Sequence, residues 1–174
     1  MVFGYYERLT PAQQRVYRRS DEVPGLALPE AGSLQPLVET LARALESEDR
    51  GATQAATQRL VAGLTAALGV PGCRVEVLAA RPSRRWGELH GLYVRGGRGR
   101  PARVTVWMRT ARRRRVVAFR TFLRTVLHEL GHHLDYELLG LPDSFHTEGF
   151  YKRESSLFHQ LVPAPTPSQA TGEP

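Results

Sequence analysis

Two histidines one helical turn apart, with a glutamate beside the first, make HELGHHLD the stretch of this chain best equipped for chemistry. His128, Glu129 and His132 have the spacing HExxH. A helix advances about 100° per residue, so positions four apart differ by about 40° and one turn of rise. Both imidazoles therefore reach one metal ion while Glu129 projects beside them. Two neutral imidazoles, a third protein ligand and an open position suit a single catalytic zinc. Such a site polarises a carbonyl and acidifies a water. Glu129, as general base, can take that water's proton and pass it to a leaving amine, which is peptide or amide hydrolysis.

The third ligand has two main candidates. His146 follows His132 by 14 residues, just beyond a Gly-Leu-Pro turn that reverses the chain towards the metal. Glu154, two turns further on, is the alternative, because zinc accepts carboxylate as well as imidazole. Asp135 and Glu148 are weaker candidates. Asp135 also has the spacing to accept the ring N–H of a ligating histidine. His133 lies about 100° around the helix from His132 and belongs at the surface or core edge. Gly131, costly inside a helix, marks close packing or substrate approach. Tyr136, Tyr151 and Arg153 are the nearby candidates for stabilising an oxyanion. Cys73 is the only cysteine, which excludes an internal disulfide and a multi-cysteine zinc site.

These residues need elements to hold them. Thr10 and Pro11 carry a helix-start signature, and residues 36–68 have helical apolar spacing that fits two helices or one broken near Asp49. Alternation then marks strands near 74–79, 88–94 and 103–109, with a basic loop, RGGRGRPAR, before the last. The strand over 103–109 offers an edge to which an extended peptide can add, if that edge is open. Residues 117–139 return to a helical period, Gly140 and Pro142 stop it, and a last helix covers 147–161. The order predicts an α+β fold: N-terminal helices, a small three-stranded mixed or antiparallel sheet, the HExxH helix, and a ligand-bearing C-terminal helix. Residues 1–162 form a single domain, and 163–174 a disordered Pro-rich tail.

With HELGH at 128–132 and HTEGF at 146–150, the chain resembles the zincin metallopeptidases, in particular minimal SprT-like and WLM-like zincins. In those families a third zinc histidine opens a helix and is followed four residues later by Phe, where Phe150 stands. Tyr151 occupies the place of the family's usual Trp. The resemblance implies a zincin-like fold over residues 73–162 and a zinc peptidase acting on peptide or protein substrates. Gluzincin-type relatives use a downstream glutamate, which keeps Glu154 in play.

The 174 residues are 41% hydrophobic and 24% charged, which fits one globular domain and excludes a multidomain machine or a fibrous repeat. No apolar run is long enough to cross a bilayer and the start lacks a signal-peptide pattern, so a cytoplasmic protein without membrane contact is expected. The net charge of +7 and the run at 112–115 admit a second reading, association with nucleic acid through arginines. SprT-like proteins include proteases acting on DNA-bound proteins, so the two readings are compatible. A zinc-binding module without turnover is the third reading.

Overall fold

Thr10 opens the first helix with a reciprocal cap. Its hydroxyl accepts from the Gln13 N–H, the Gln13 side chain accepts from the Thr10 N–H, and Pro11 takes the first helical position. The structure, a computed structural model, describes residues 2–84, 87–97 and 99–163. The expected tail at 163–174 thus lies almost wholly outside the described residues. Helix α1 (Pro11–Asp21) is followed by α2 (Gln35–Glu46) and α3 (Arg50–Ala67). The helical stretch of the sequence resolves as two helices, because Asp49 leaves the helical conformation and caps α3 through the Ala52 N–H at 2.7 Å.

Strand β1 (Arg74–Ala80) leads into a short hairpin, β2 (Ser83–Arg84) with β3 (Gly87–Glu88), then β4 (Gly91–Val94) and β5 (Arg103–Arg109). The main sheet is mixed, in the order β1-β5-β4, with β1 parallel and β4 antiparallel to β5. Two expectations change here. The segment over 88–94 divides, since only Gly91 to Val94 pair with β5 and Glu88 belongs to the separate hairpin. β5 is the central strand and offers no edge. The run from Val104 to Met108 is buried on both faces, as a strand with a neighbour on each side and helices against it must be.

The two true edges differ. Along β1, α3 supplies the missing ladder with side chains: Gln54 bonds Val75 O and Val77 N–H at 2.6 Å each, and Gln58 bonds Cys73 O and Val75 N–H at 3.1 and 2.8 Å. Arg50 adds a bond to Val77 O. That edge is closed to any further strand. Beyond β4, no further strand is paired among the described residues.

Helix α4 (Phe119–Glu137) lies across the sheet, and α5 (Glu148–Leu161) packs beside it. The apolar stripe of α4 runs as the period predicts: Leu123, Val126, Leu127, Leu130 and Leu134 are all buried in a core shared with β1, β5, α2 and α3. Leu138, four residues past Leu134 in the same period, is exposed, because the helix has already stopped at Glu137. Thr147 caps α5 through the Phe150 N–H at 3.0 Å. The four arginines at 112–115 are exposed on the turn between β5 and α4. No helix among the described residues is long and apolar enough to cross a membrane.

The N-terminus of α5 is pinned to the end of α1. Gly149 N–H donates to Asp21 Oδ1 at 2.7 Å, and a Cβ at Gly149 would lie 2.5 Å from Ser20 O and 2.7 Å from Asp21 Cα. Both obstacles are backbone and cannot swing aside. Gly149→Ala is expected to lower stability by about 1–3 kcal/mol, read as a lower urea midpoint at unchanged slope. An unchanged midpoint would show that this approach is not close in solution.

Candidate metal centre

The ring nitrogens of three histidines converge. His128 Nε2 stands 3.0 Å from His146 Nε2, which stands 3.1 Å from His132 Nε2. These three residues are close enough to hold one metal ion. α4 supplies two of them and the short segment between the helices the third.

Each α4 imidazole is fixed from behind. His128 Nδ1 lies 3.1 Å from Glu154 Oε2, and a carboxylate acceptor requires the proton on Nδ1. His132 Nδ1 lies 2.7 Å from Ser144 Oγ, whose own hydrogen goes to Asp135 Oδ2 at 2.7 Å, so the serine oxygen accepts from the imidazole. Both partners assign the Nδ1–H tautomer and leave Nε2 as a lone pair. Two lone pairs then face a third nitrogen that can donate to only one of them. A cation answers that arrangement, and neutral imidazole donors are what a divalent transition metal takes. Tetrahedral ligation at about 2.0–2.1 Å sets donors about 3.3 Å apart, close to the spacing found.

The sequence candidates therefore separate. His146 meets the α4 histidines on their Nε2 side, whereas Glu154 stands behind His128 and orients it. Asp135 reaches His132 through Ser144 and not directly. Glu148 pairs with Lys152 at 2.7 Å. His133 is not at the surface: it is buried, with Nδ1 3.1 Å from Tyr93 Oη and Nε2 2.7 Å from Pro71 O, and it ties α4 to β4. Gly131 is under close packing as expected, since a Cβ there would meet the Phe150 ring at 2.9 Å. That ring touches His128, His132 and His146, with centroids 4.8–5.3 Å away.

Arg153 does not serve as an oxyanion donor. It is buried, and its guanidinium is consumed by Ser20 O, Ser20 Oγ, Val23 O and Asp135 Oδ1. Tyr151 stacks near His128 and His146 without lining the cleft, whereas Tyr136 does line it.

Glu129 is only 7% exposed and sits where β4 crosses the helix. The Tyr93 backbone N–H donates to its carboxylate. Gly91 is the condition for this placement, because a Cβ there would lie 2.6 Å from Glu129 Cγ. Burial pushes the Glu129 carboxyl up to about 7, against the opposing pull of His128 and the Tyr93 N–H. Burial and the two neighbouring imidazoles push His132 down to about 3, and burial and His128 lower His146 against the opposing pull of Glu154. Both shifts favour the neutral imidazole, the form that a metal takes.

A cleft of about 750 Å³ opens in front of these groups. β4 forms one wall, with Gly91, Leu92 and Tyr93, and α4 the other, from Thr121 through Arg124 and Thr125 to His128. Sequence reasoning missed Ser144, Gly91, Tyr93 and Arg124. Only Gly91 carried a local signal, a glycine inside an alternating stretch. Compared with known protein families, curated proteins and solved structures, the chain matches none.

The Asp135–Ser144–His132 relay makes a specific demand. Ser144→Ala removes the acceptor at His132 Nδ1, and divalent metal affinity, measured by competition with a chelator, should fall about 10–100-fold. Equal affinity in the two proteins would mean that His132 needs no such support.

Proposed function

We propose that the chain is a zinc-dependent metallopeptidase of the minimal zincin type, with His128, His132 and His146 on the metal and Glu129 as general base. The observation that carries the reading is the convergence of three Nε2 atoms beside a buried carboxylate at the floor of an open cleft. Zinc held there would supply Lewis acidity to a scissile carbonyl and to the attacking water.

The chain's own residues account for the rest. Gly91 and the Tyr93 N–H hold the Glu129 carboxylate against the cleft floor, where it accepts the water's proton and hands it to the leaving amine nitrogen. Tyr136 is the one member of the sequence's oxyanion set that borders the cleft, and is therefore the donor assigned to that charge. The substrate lies extended along β4. Its outer edge, which pairs with no strand among the described residues, offers backbone groups for strand addition, in place of the β5 edge expected from the sequence. Glu154 and the Asp135–Ser144 pair keep the two α4 imidazoles in the ligating tautomer.

Metal content and hydrolysis, measured together on purified variants, test the reading. Wild type should hold about one zinc per chain. His146→Ala should lose it. Glu154→Ala should retain it with affinity lower by about tenfold or more. Glu129→Gln should keep the metal and lose peptide hydrolysis by at least about a hundredfold. Wild type that takes up no zinc, or Glu129→Gln with undiminished turnover, would overturn the assignment.

A further inference from the structure

Two arginines in the cleft wall and close by are treated differently from Arg153. Arg153 has its donors engaged by four acceptors, three of them in buried bonds. Arg124, one turn before His128, lines the cleft with its side chain 38% exposed. Among the described residues its polar contact is a single one, to Glu154 Oε1 at 3.4 Å. That is long for a charge-assisted bond, which runs at about 2.7–2.9 Å, and it engages one of about five N–H donors. The guanidinium otherwise lies on the face of Phe158, 4.0 Å from the ring centroid, which holds its plane without using its edge.

Arg120 lies over the same ring at 4.8 Å and meets no carboxylate among the described residues. It stands in the first turn of α4, where the helix dipole disfavours a cation and where the helix carries no acidic residue. Two like charges one turn apart repel each other, and the helix dipole adds to that cost near the start of α4. The Glu154 carboxylate is shared with His128 and does not neutralise them both. The result is a positive end to the cleft with an open bidentate fork in its wall.

Resting on the peptidase reading, we propose that the cleft selects substrates bearing a carboxylate close to the scissile bond, with Arg124 as the group that receives it. The carboxylate is either an Asp or Glu side chain or the C-terminus of a short peptide, since a guanidinium fork accepts both alike. Arg124 is a specificity residue in this account, and Arg120 adds field without contact.

The test measures binding, so that it does not depend on turnover. Fluorescent peptides of one neutral core, with Glu or Gln at each position around the central bond and with free or amidated C-termini, are titrated against zinc-loaded Glu129→Gln protein. One acidic position, or the free C-terminus, should bind at least about tenfold more tightly than its neutral counterpart, as expected for a charge-assisted pair. The position of the gain identifies the source of the carboxylate. Adding Arg124→Gln should erase the ratio, and adding Arg124→Lys should leave a reduced one. Zinc content is checked in each variant, so that a lost Glu154 support is not mistaken for lost recognition. Equal binding of acidic and neutral peptides, binding of neither, or a ratio that survives Arg124→Gln overturns the proposal. Selective binding by a wild-type protein that cleaves none of the peptides would instead overturn the peptidase reading and leave the carboxylate receptor standing.

Discussion

The site depends on one buried ion pair. Asp135 Oδ1 and Arg153 meet at 2.7 Å with side chains 0% and 4% exposed. Removing either partner of such a pair typically costs about 3–5 kcal/mol, because the other charge is left stranded in a medium that solvates it poorly. The pair joins α4 to α5. Through Ser20 and Val23 it reaches the end of α1, and through the other carboxylate oxygen and Ser144 it reaches His132. Packing between three helices and the orientation of a candidate metal ligand are thus one hydrogen-bonded unit. A residue that the sequence offered as an oxyanion donor is the anchor of the structure.

Glycine does the complementary work of letting elements approach. At Gly91 the β4 backbone passes over Glu129, at Gly131 the Phe150 ring lies on α4, and at Gly149 α5 meets the end of α1. Each is a point where a methyl group would push a functional or anchoring residue out of place. The cleft is therefore shaped as much by absent side chains as by present ones.

Much of this was legible from spacing. His128, Glu129 and His132 could be placed because a helical period and a ligand spacing coincide on one face, and His146 because a Gly-Pro turn reverses the chain. The mixed α+β order and the last two helices could be read for the same local reasons. What failed was information that exists only between elements. Strand order does not follow chain order, so β5 looked like an edge although β1 and β4 flank it. Arg153 and His133 carry no local mark of burial, since what buries them comes from residues 20–23 and from Pro71 and Tyr93. Glu154 and His146 were both reachable from the turn. Only the direction in which each imidazole points, Nε2 inward and Nδ1 outward, separates a ligand from its support.

The N-terminal arm adds a consequence for how the protein acquires its site. Tyr5 donates its hydroxyl to His146 O at 2.9 Å across a separation of 141 residues, and Ser20 meets Thr147 at 3.1 Å across 127. Contacts this distant in sequence form only after the intervening chain has closed, at a cost in loop entropy that slows them. The HExxH pair, by contrast, exists as soon as α4 is helical. The backbone that carries His146 is instead tied to the far end of the described chain, so the third histidine is held in part by residues remote from it in sequence. The closed three-histidine cluster is then a mark of a chain whose two ends have been brought together.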